Sequence, residues 1–75
     1  MHTSRTRVEM YMPGWTIDSI TADEPDGSLV SVHSRPEIGP SVQFRTVWID
    51  NAGTVTDAKV DDLGNIVTAE GLRLA

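Results

Sequence analysis

Apolar and polar residues alternate along several short stretches of this chain, and the alternation predicts β-strands. In the clearest case, residues 42–49 (VQFRTVWI), every second side chain can lie on the same face of a sheet. Valine, isoleucine and threonine are abundant, and their branched side chains favour pleated strands. Clusters rich in glycine, proline and aspartate separate these stretches and are typical of turns. The predicted strands are residues 6–12, 15–22, 28–34, 42–49, 54–61 and 66–70.

Strands that follow one another through short turns pair most simply with their neighbours, and 75 residues suffice for one domain. We therefore predict an all-β fold, a small antiparallel meander of five or six strands that forms a compact barrel or a two-layer sandwich. Residues 15–75 form the single small β domain in this prediction. Residues 1–14 form an N-terminal arm or a first edge strand.

Residues 35–41 contain two prolines and are predicted as the longest loop. A short helix is the alternative for residues 56–63, although Asp61 and Asp62 would lie unfavourably in its last turn. Residues 72–74 are expected to pair at a sheet edge or to form a loose tail.

The strands 42–49 and 54–61 form the most specific prediction, a hairpin with the three-residue loop 51–53. A type I turn that ends in a left-handed Gly53 suits this loop length. The register pairs Trp48 with Thr56 and Asp50 with Thr54, whereas a four-residue loop would shift it. Farther from the turn it pairs Phe44 with Val60, Thr46 with Ala58, and the like charges of Arg45 and Lys59.

The opposite face of this hairpin is apolar where a half-exposed sheet would carry polar residues. Val47 and Ile49 lie on that face, and Val55 lies opposite Ile49. Either a second layer of the same chain covers them or a protein partner does. These three residues are therefore the candidate interface.

The chain carries a formal charge of −5, and acids dominate two regions. A net acidic protein lacks the basic footprint that phosphate-backbone binding needs, so nucleic acid is an unfavourable partner. Ordinary surface solvation explains such a charge, and a phosphate-mimicking surface is the functional alternative. The candidate acidic surface comprises Asp18, Asp23, Glu24, Asp26, Asp57, Asp61 and Asp62.

No pattern in the chain indicates catalysis, a cofactor or a metal site. There is no cysteine, and of the histidines only His33, beside Ser34, lies on a predicted strand. The acids around Asp57 and Asp61 lack the spacing of a calcium loop. The four aromatic residues could form a base-stacking platform, but core packing accounts for them more simply: Tyr11, Trp15, Phe44 and Trp48.

The pattern favours a non-enzymatic protein-interaction or structural module, such as a phage virion component that decorates a capsid or acts as a connector. The alternative is a small acidic phage-type inhibitor of a host enzyme or defence complex, and a weaker one is an OB- or SH3-like nucleic-acid binder. A protein partner or self-association is expected, because so small a core gains burial by docking. The sequence has no run of about 18 apolar residues, so no membrane-spanning helix is expected. The expected location is the cytoplasm or an assembled virion.

Overall fold

The computed structural model describes residues 3–36 and 41–75 and contains one helix and five strands over these ranges. The strands form one antiparallel sheet in the order β1-β2-β3-β4-β5, which confirms the predicted all-β meander. The sheet is open rather than a closed barrel. Part of the predicted loop, residues 37–40, lies outside the described residues. The elements are α1 Ser4–Tyr11, β1 Thr16–Glu24, β2 Gly27–Ser34, β3 Gln43–Asp50, β4 Val55–Val60 and β5 Ile66–Thr68.

The prediction of a strand over residues 6–12 is wrong, because α1 occupies most of this segment. Thr3 is the N-cap, and its hydroxyl accepts a hydrogen bond from the backbone N–H of Thr6 at 3.2 Å. Pro13 and Gly14 follow the helix and cannot continue it. At eight residues, α1 is not long and apolar enough to cross a membrane, and no other helix occurs in residues 3–36 and 41–75.

The hairpin of β3 and β4 has the predicted turn and the predicted register near that turn. Trp48 pairs with Thr56 and Ile49 with Val55, and Gly53 has a φ of +90°. The N–H of Asp50 donates to the carbonyl of Thr54 at 3.1 Å, which closes the loop. The helix alternative for residues 56–63 is therefore wrong.

The same hairpin departs from the prediction farther from its turn. β3 and β4 pair only over residues 47–49 and 55–57, and residues 58–60 of β4 pair with β5 instead. The predicted pairs of Phe44 with Val60 and of Arg45 with Lys59 are therefore not formed. Arg45 instead donates two hydrogen bonds to one oxygen of Asp57, at 3.1 and 2.9 Å, so the expected like-charge contact is replaced by an ion pair.

The two faces of the sheet carry two separate clusters of buried side chains. The helix face lies beneath α1, and its buried residues are Val8, Met12, Val30, Val32, Val47 and Ile49. The groove face is the opposite one, and its buried residues are Leu29, Trp48, Ala58 and Ile66. Alternation sends Val47 and Trp48 of β3 to opposite faces, as it does Leu29 and Val30 of β2, so these two strands contribute buried residues to both clusters.

The C-terminal segment after β5 folds back along that strand. The N–H of Leu74 donates to the carbonyl of Ile66 at 2.7 Å, and the N–H of Thr68 donates to the carbonyl of Leu72 at 2.8 Å. Val67 and Arg73 form an antiparallel bridge. Of the two alternatives for residues 72–74, edge pairing is the one observed.

Candidate functional site

The three residues of the candidate interface belong to the core beneath α1. Val47 and Ile49 have no exposed surface, and Val55 is partly buried against the same cluster, which includes Val8 and Met12. The protein's own helix is therefore the layer that covers this end of the hairpin. A partner cannot contact side chains without exposed surface, so we assign Val47 and Ile49 to the core rather than to an interface.

Arg7 is the only charged side chain in residues 3–36 and 41–75 that is buried, and it is fully so. Its Nε and Nη2 atoms donate to Oδ1 of Asn51, at 3.2 and 2.7 Å, and Nη2 also donates to the carbonyl of Pro25 at 3.0 Å. Nη1 donates to Oγ of Ser28 at 2.6 Å and to Oδ1 of Asp23 at 3.3 Å. These contacts employ the full donor capacity of a guanidinium group. The side chain thus joins α1 to the β1–β2 and β3–β4 turns and has no donor left for a ligand.

Asp23 accepts further hydrogen bonds at the edge of this network. The hydroxyl of Ser28 donates to its Oδ1 at 2.8 Å, and the backbone N–H of Ser4 donates to its Oδ2 at 3.3 Å. The hydrogen bond from Ser28 is the main reason that the pKa of Asp23 lies below its ordinary value, with Ser4 and the charge of Arg7 acting in the same direction and burial opposing them. Asp23 is therefore a structural carboxylate.

Three other residues of the candidate acidic surface are also held within the chain. Oδ1 of Asp18 lies 2.6 Å from Nδ1 of His33, and Asp57 pairs with Arg45. Asp61 accepts two backbone N–H groups of its own turn, at 2.9 and 2.8 Å. Among the described residues, the remaining acids of this set are exposed and form no ion pair: Glu24, Asp26 and Asp62. The seven acids therefore do not form one uncompensated surface.

His33 has a carboxylate beside its ring but, among the described residues, no hydroxyl that would complete a catalytic triad. Its ring contacts Asp18 on one side and lies 6.1 Å from the ring of Phe44. The nearby hydroxyl of Ser31 pairs with that of Thr46 at 3.1 Å instead. Within residues 3–36 and 41–75 no hydroxyl bonds to His33, and no group of three His, Cys, Asp or Glu could hold a metal ion. His2 lies outside the described residues.

The four aromatic residues do not share a surface. Trp48 is buried in the groove face, and Tyr11 and Trp15 pack partly buried against the helix face. Phe44 alone among them is strongly exposed, at 74%. The guanidinium carbon of Arg45 lies 5.8 Å from the centre of the Trp15 ring and covers it further. The base-stacking platform considered from the sequence is therefore not assembled.

A groove of about 650 Å³ lies on the groove face, between β1 on one side and the end of β4 and the chain after it on the other. Its apolar part includes Ala22, Val60 and Ile66, and Val60 is 45% exposed. Ala22 and Ile66 also pack in the second core cluster, so the floor of the groove is continuous with the core.

Charged side chains surround this apolar floor. Glu24 and Asp26 line the groove from the β1–β2 hairpin, and Arg73 lines it from the C-terminal segment. The charged lining is thus two carboxylates against one guanidinium. The groove can therefore accept an apolar group on its floor and a cation at the β1–β2 end.

Half of this site is predictable from the sequence. The sequence marks Glu24 and Asp26 as candidate acidic residues, but no local pattern connects Val60, Ile66 and Arg73 with them. The two halves lie more than 30 residues apart in the chain and at opposite ends of the strand order. The available signal was the pair of apolar residues, Val60 and Ile66, on either side of the turn at residues 61–65.

Comparisons with known proteins add no second line of evidence. No family model matches the chain, and no significant match was found among curated proteins or solved structures. The groove and its surroundings are therefore the main indication of a function.

Proposed function

We propose that this protein is a non-enzymatic interaction module that binds a segment of another protein chain in the groove between β1 and the C-terminal segment. The observation that carries the proposal is an apolar floor, exposed at Val60, that is bordered by Glu24, Asp26 and Arg73. Apolar surface framed by a few polar groups is the common composition of a binding site. α1 and the C-terminal segment cover further apolar surface of the sheet, whereas Ile20 and Phe44 remain exposed outside the groove.

A more specific form of this proposal is a phage virion component, a capsid decoration or connector protein whose groove receives a neighbouring subunit. The small core supports this form, since a domain of this size gains stability by docking. Light scattering on the purified protein, followed by association with capsids, tests it. A strict monomer that does not associate with virions would contradict this form and leave the general proposal in place.

The acidic-inhibitor alternative has one specific observation in its favour, the exposure of Glu24 and Asp26 at the groove. Such an inhibitor would contact a basic surface through these carboxylates, without needing the apolar floor. Reversing both charges and, separately, changing Val60 therefore distinguishes the two functions. Loss of partner binding only on charge reversal would favour the inhibitor.

A comparison of two exposed apolar positions tests the interaction proposal. Val60→Glu places a charge on the groove floor, and Met10→Glu places the same charge on α1, where Met10 is 50% exposed. Affinity capture from the source cells, quantified for both variants and the unchanged protein, should lose a partner only with Val60→Glu. Circular dichroism should show all three proteins folded. A partner that binds Val60→Glu as strongly as the unchanged protein would rule out the groove.

A further inference from the structure

We infer that the segment bound in the groove is an extended strand with basic and aliphatic side chains, which adds to the free edge of β1 at residues 22–24. This inference rests on the proposed function and specifies the chemistry of its partner. Three features of the molecule support it: one sheet edge is open, part of that edge is regular, and charged side chains surround that part.

The two ends of the sheet differ in how their outer edges are covered. At the β5 end, the C-terminal segment bonds to both Ile66 and Thr68 and bridges Val67. At the other end, β1 pairs with β2 alone among the described residues. An edge strand presents backbone N–H and C=O groups that can pair with another chain. The β1 edge is therefore the one that can accept an added strand.

Most of the β1 edge is irregular, and its regular part lines the groove. Register shifts occur between Ile17 and Ser19 and between Ile20 and Ala22. Irregularities of this kind interrupt the spacing of backbone groups and discourage edge pairing. From Ala22 to Glu24 the pairing with β2 is continuous, and both of these residues line the groove. An added strand would therefore pair at the groove rather than along the whole of β1.

The groove lining then determines which side chains such a strand would carry. Alternate side chains of a strand beside Ala22 would face the floor formed by Val60 and Ile66, which suits aliphatic residues. At the β1–β2 hairpin, Glu24 and Asp26 favour lysine or arginine and disfavour aspartate or glutamate. Main-chain pairing would contribute affinity, and these side chains would contribute specificity.

Nuclear magnetic resonance titration with three probe peptides tests the inference. The first is the blocked peptide Lys-Val-Arg-Val-Lys, the second is the same peptide N-methylated at its central residue, and the third is Glu-Val-Glu-Val-Glu. The first should shift the amide resonances of residues 22–24, Val60 and Ile66. The second should bind at least about 10-fold more weakly, because N-methylation removes a strand hydrogen bond and leaves the side chains in place. The third should bind least.

Charge reversal provides the matched control. Glu24→Lys combined with Asp26→Lys should invert the preference between the basic and acidic peptides. Glu9→Lys, which makes the same type of change on an exposed position of α1, should leave the preference unchanged. Equal binding of the N-methylated peptide would overturn strand addition, and equal binding of the acidic peptide would overturn the basic character.

The outcomes also separate this inference from the proposed function. If none of the peptides shifts the groove resonances at millimolar concentration, while Val60→Glu still loses its cellular partner, the inference is wrong and the interaction proposal stands. If Val60→Glu retains its partner, the groove is not the site, and the interaction proposal fails with it.

Discussion

On the helix face, α1 lays Val8 and Met12 over fully buried strand residues, and Arg7 joins the helix to two turns through hydrogen bonds to Asn51, Ser28 and Asp23. On the groove face, Ile66 of β5 and the C-terminal segment pack in one cluster with Leu29 and Trp48, but Val60 remains 45% exposed. Both faces belong to the same strands, so the difference lies in what covers them.

On one face, therefore, even the charged side chain of Arg7 is fully buried, whereas on the other face the apolar side chain of Val60 remains partly exposed. No buried side-chain nitrogen or oxygen among the described residues lacks a hydrogen-bond partner. The polar groups buried beneath α1 therefore find all their partners within the chain. The groove face has apolar surface still in contact with water, which a partner could cover. Both faces contain a buried cluster that stabilises the fold, and the groove face in addition leaves Val60 partly exposed.

Loss of Arg7 should have the largest effect on this arrangement. Arg7→Ala removes a fully buried guanidinium and leaves Asp23, Ser28 and Asn51 without their partner. We expect the free energy of unfolding to fall by about 3–5 kcal/mol, which is enough to unfold many domains of this size. Urea denaturation monitored by tryptophan fluorescence measures the change.

Arg45→Gln is the matched control, because Arg45 also pairs with an aspartate but its side chain is 36% exposed. This substitution should lower the free energy of unfolding by less than about 1 kcal/mol, as is typical of surface ion pairs. Similar losses for the two variants would mean that the buried hydrogen bonds of Arg7 contribute no more to stability than an exposed ion pair does.

Gly27→Ala should have the next largest effect, and it acts on the groove face. A Cβ atom at this position would lie 2.2 Å from Cζ2 of Trp48 and 2.9 Å from the carbonyl oxygen of Ile49. Overpacking against a backbone group leaves little room for adjustment, so we expect a loss of about 3 kcal/mol in unfolding free energy. Thermal denaturation followed by circular dichroism measures it.

Gly64→Ala separates this clash from the effect of backbone conformation. Gly64 has a φ of +85°, and a Cβ atom there would meet nothing within 4 Å. Its substitution should cost about 1 kcal/mol through the left-handed conformation alone. A loss as large as that for Gly27→Ala would show that the packing of Trp48 over Gly27 contributes little.

The smallest expected effect concerns pH and Asp23. Because folding lowers the pKa of Asp23, chiefly through the hydrogen bond from Ser28, its ionised form stabilises the folded state above the ordinary carboxyl pKa. That contribution is lost as the pH falls through the lowered pKa, below about pH 4. The difference in unfolding free energy between the unchanged protein and Asp23→Asn should therefore shrink between pH 6 and pH 3.

Asp26→Asn serves as the control for this titration, since Asp26 is exposed on the same hairpin and forms no ion pair among the described residues. At pH 6 its unfolding free energy should be close to that of the unchanged protein, as is usual for exposed positions. A difference for Asp23→Asn that stays constant down to pH 3 would contradict the lowered pKa.

The sheet strands could be predicted because alternating apolar and polar residues, and the turn residues between them, determine the structure of a short segment by themselves. The turn at residues 51–53 could be specified down to the left-handed Gly53, since the loop length and the glycine position select one turn type. The register failed only beyond residue 57, where β4 leaves β3 for β5. A strand's choice between two neighbours depends on the curvature of the whole sheet, which local alternation does not encode.

Helix α1 was missed because the residues on its buried side are not all apolar. Ser4, Arg7, Val8 and Met12 are buried at helical spacing, but two of these four are polar. The apolar residues alone, with Met10 between Val8 and Met12, mimic the period of a strand. Thr3 as N-cap and Pro13-Gly14 as a stop were the remaining helical signals.

By itself, the sequence determined an antiparallel meander, its turns, and an apolar patch at Val47 and Ile49 that something had to cover. Tertiary structure decided that α1 covers this patch, that Arg7 is buried, and that the opposite face keeps a groove. The physical reason is that a charge can be buried only where several distant segments supply partners together, here Pro25, Ser28 and Asn51. Such convergence is a property of the folded chain and not of any one segment.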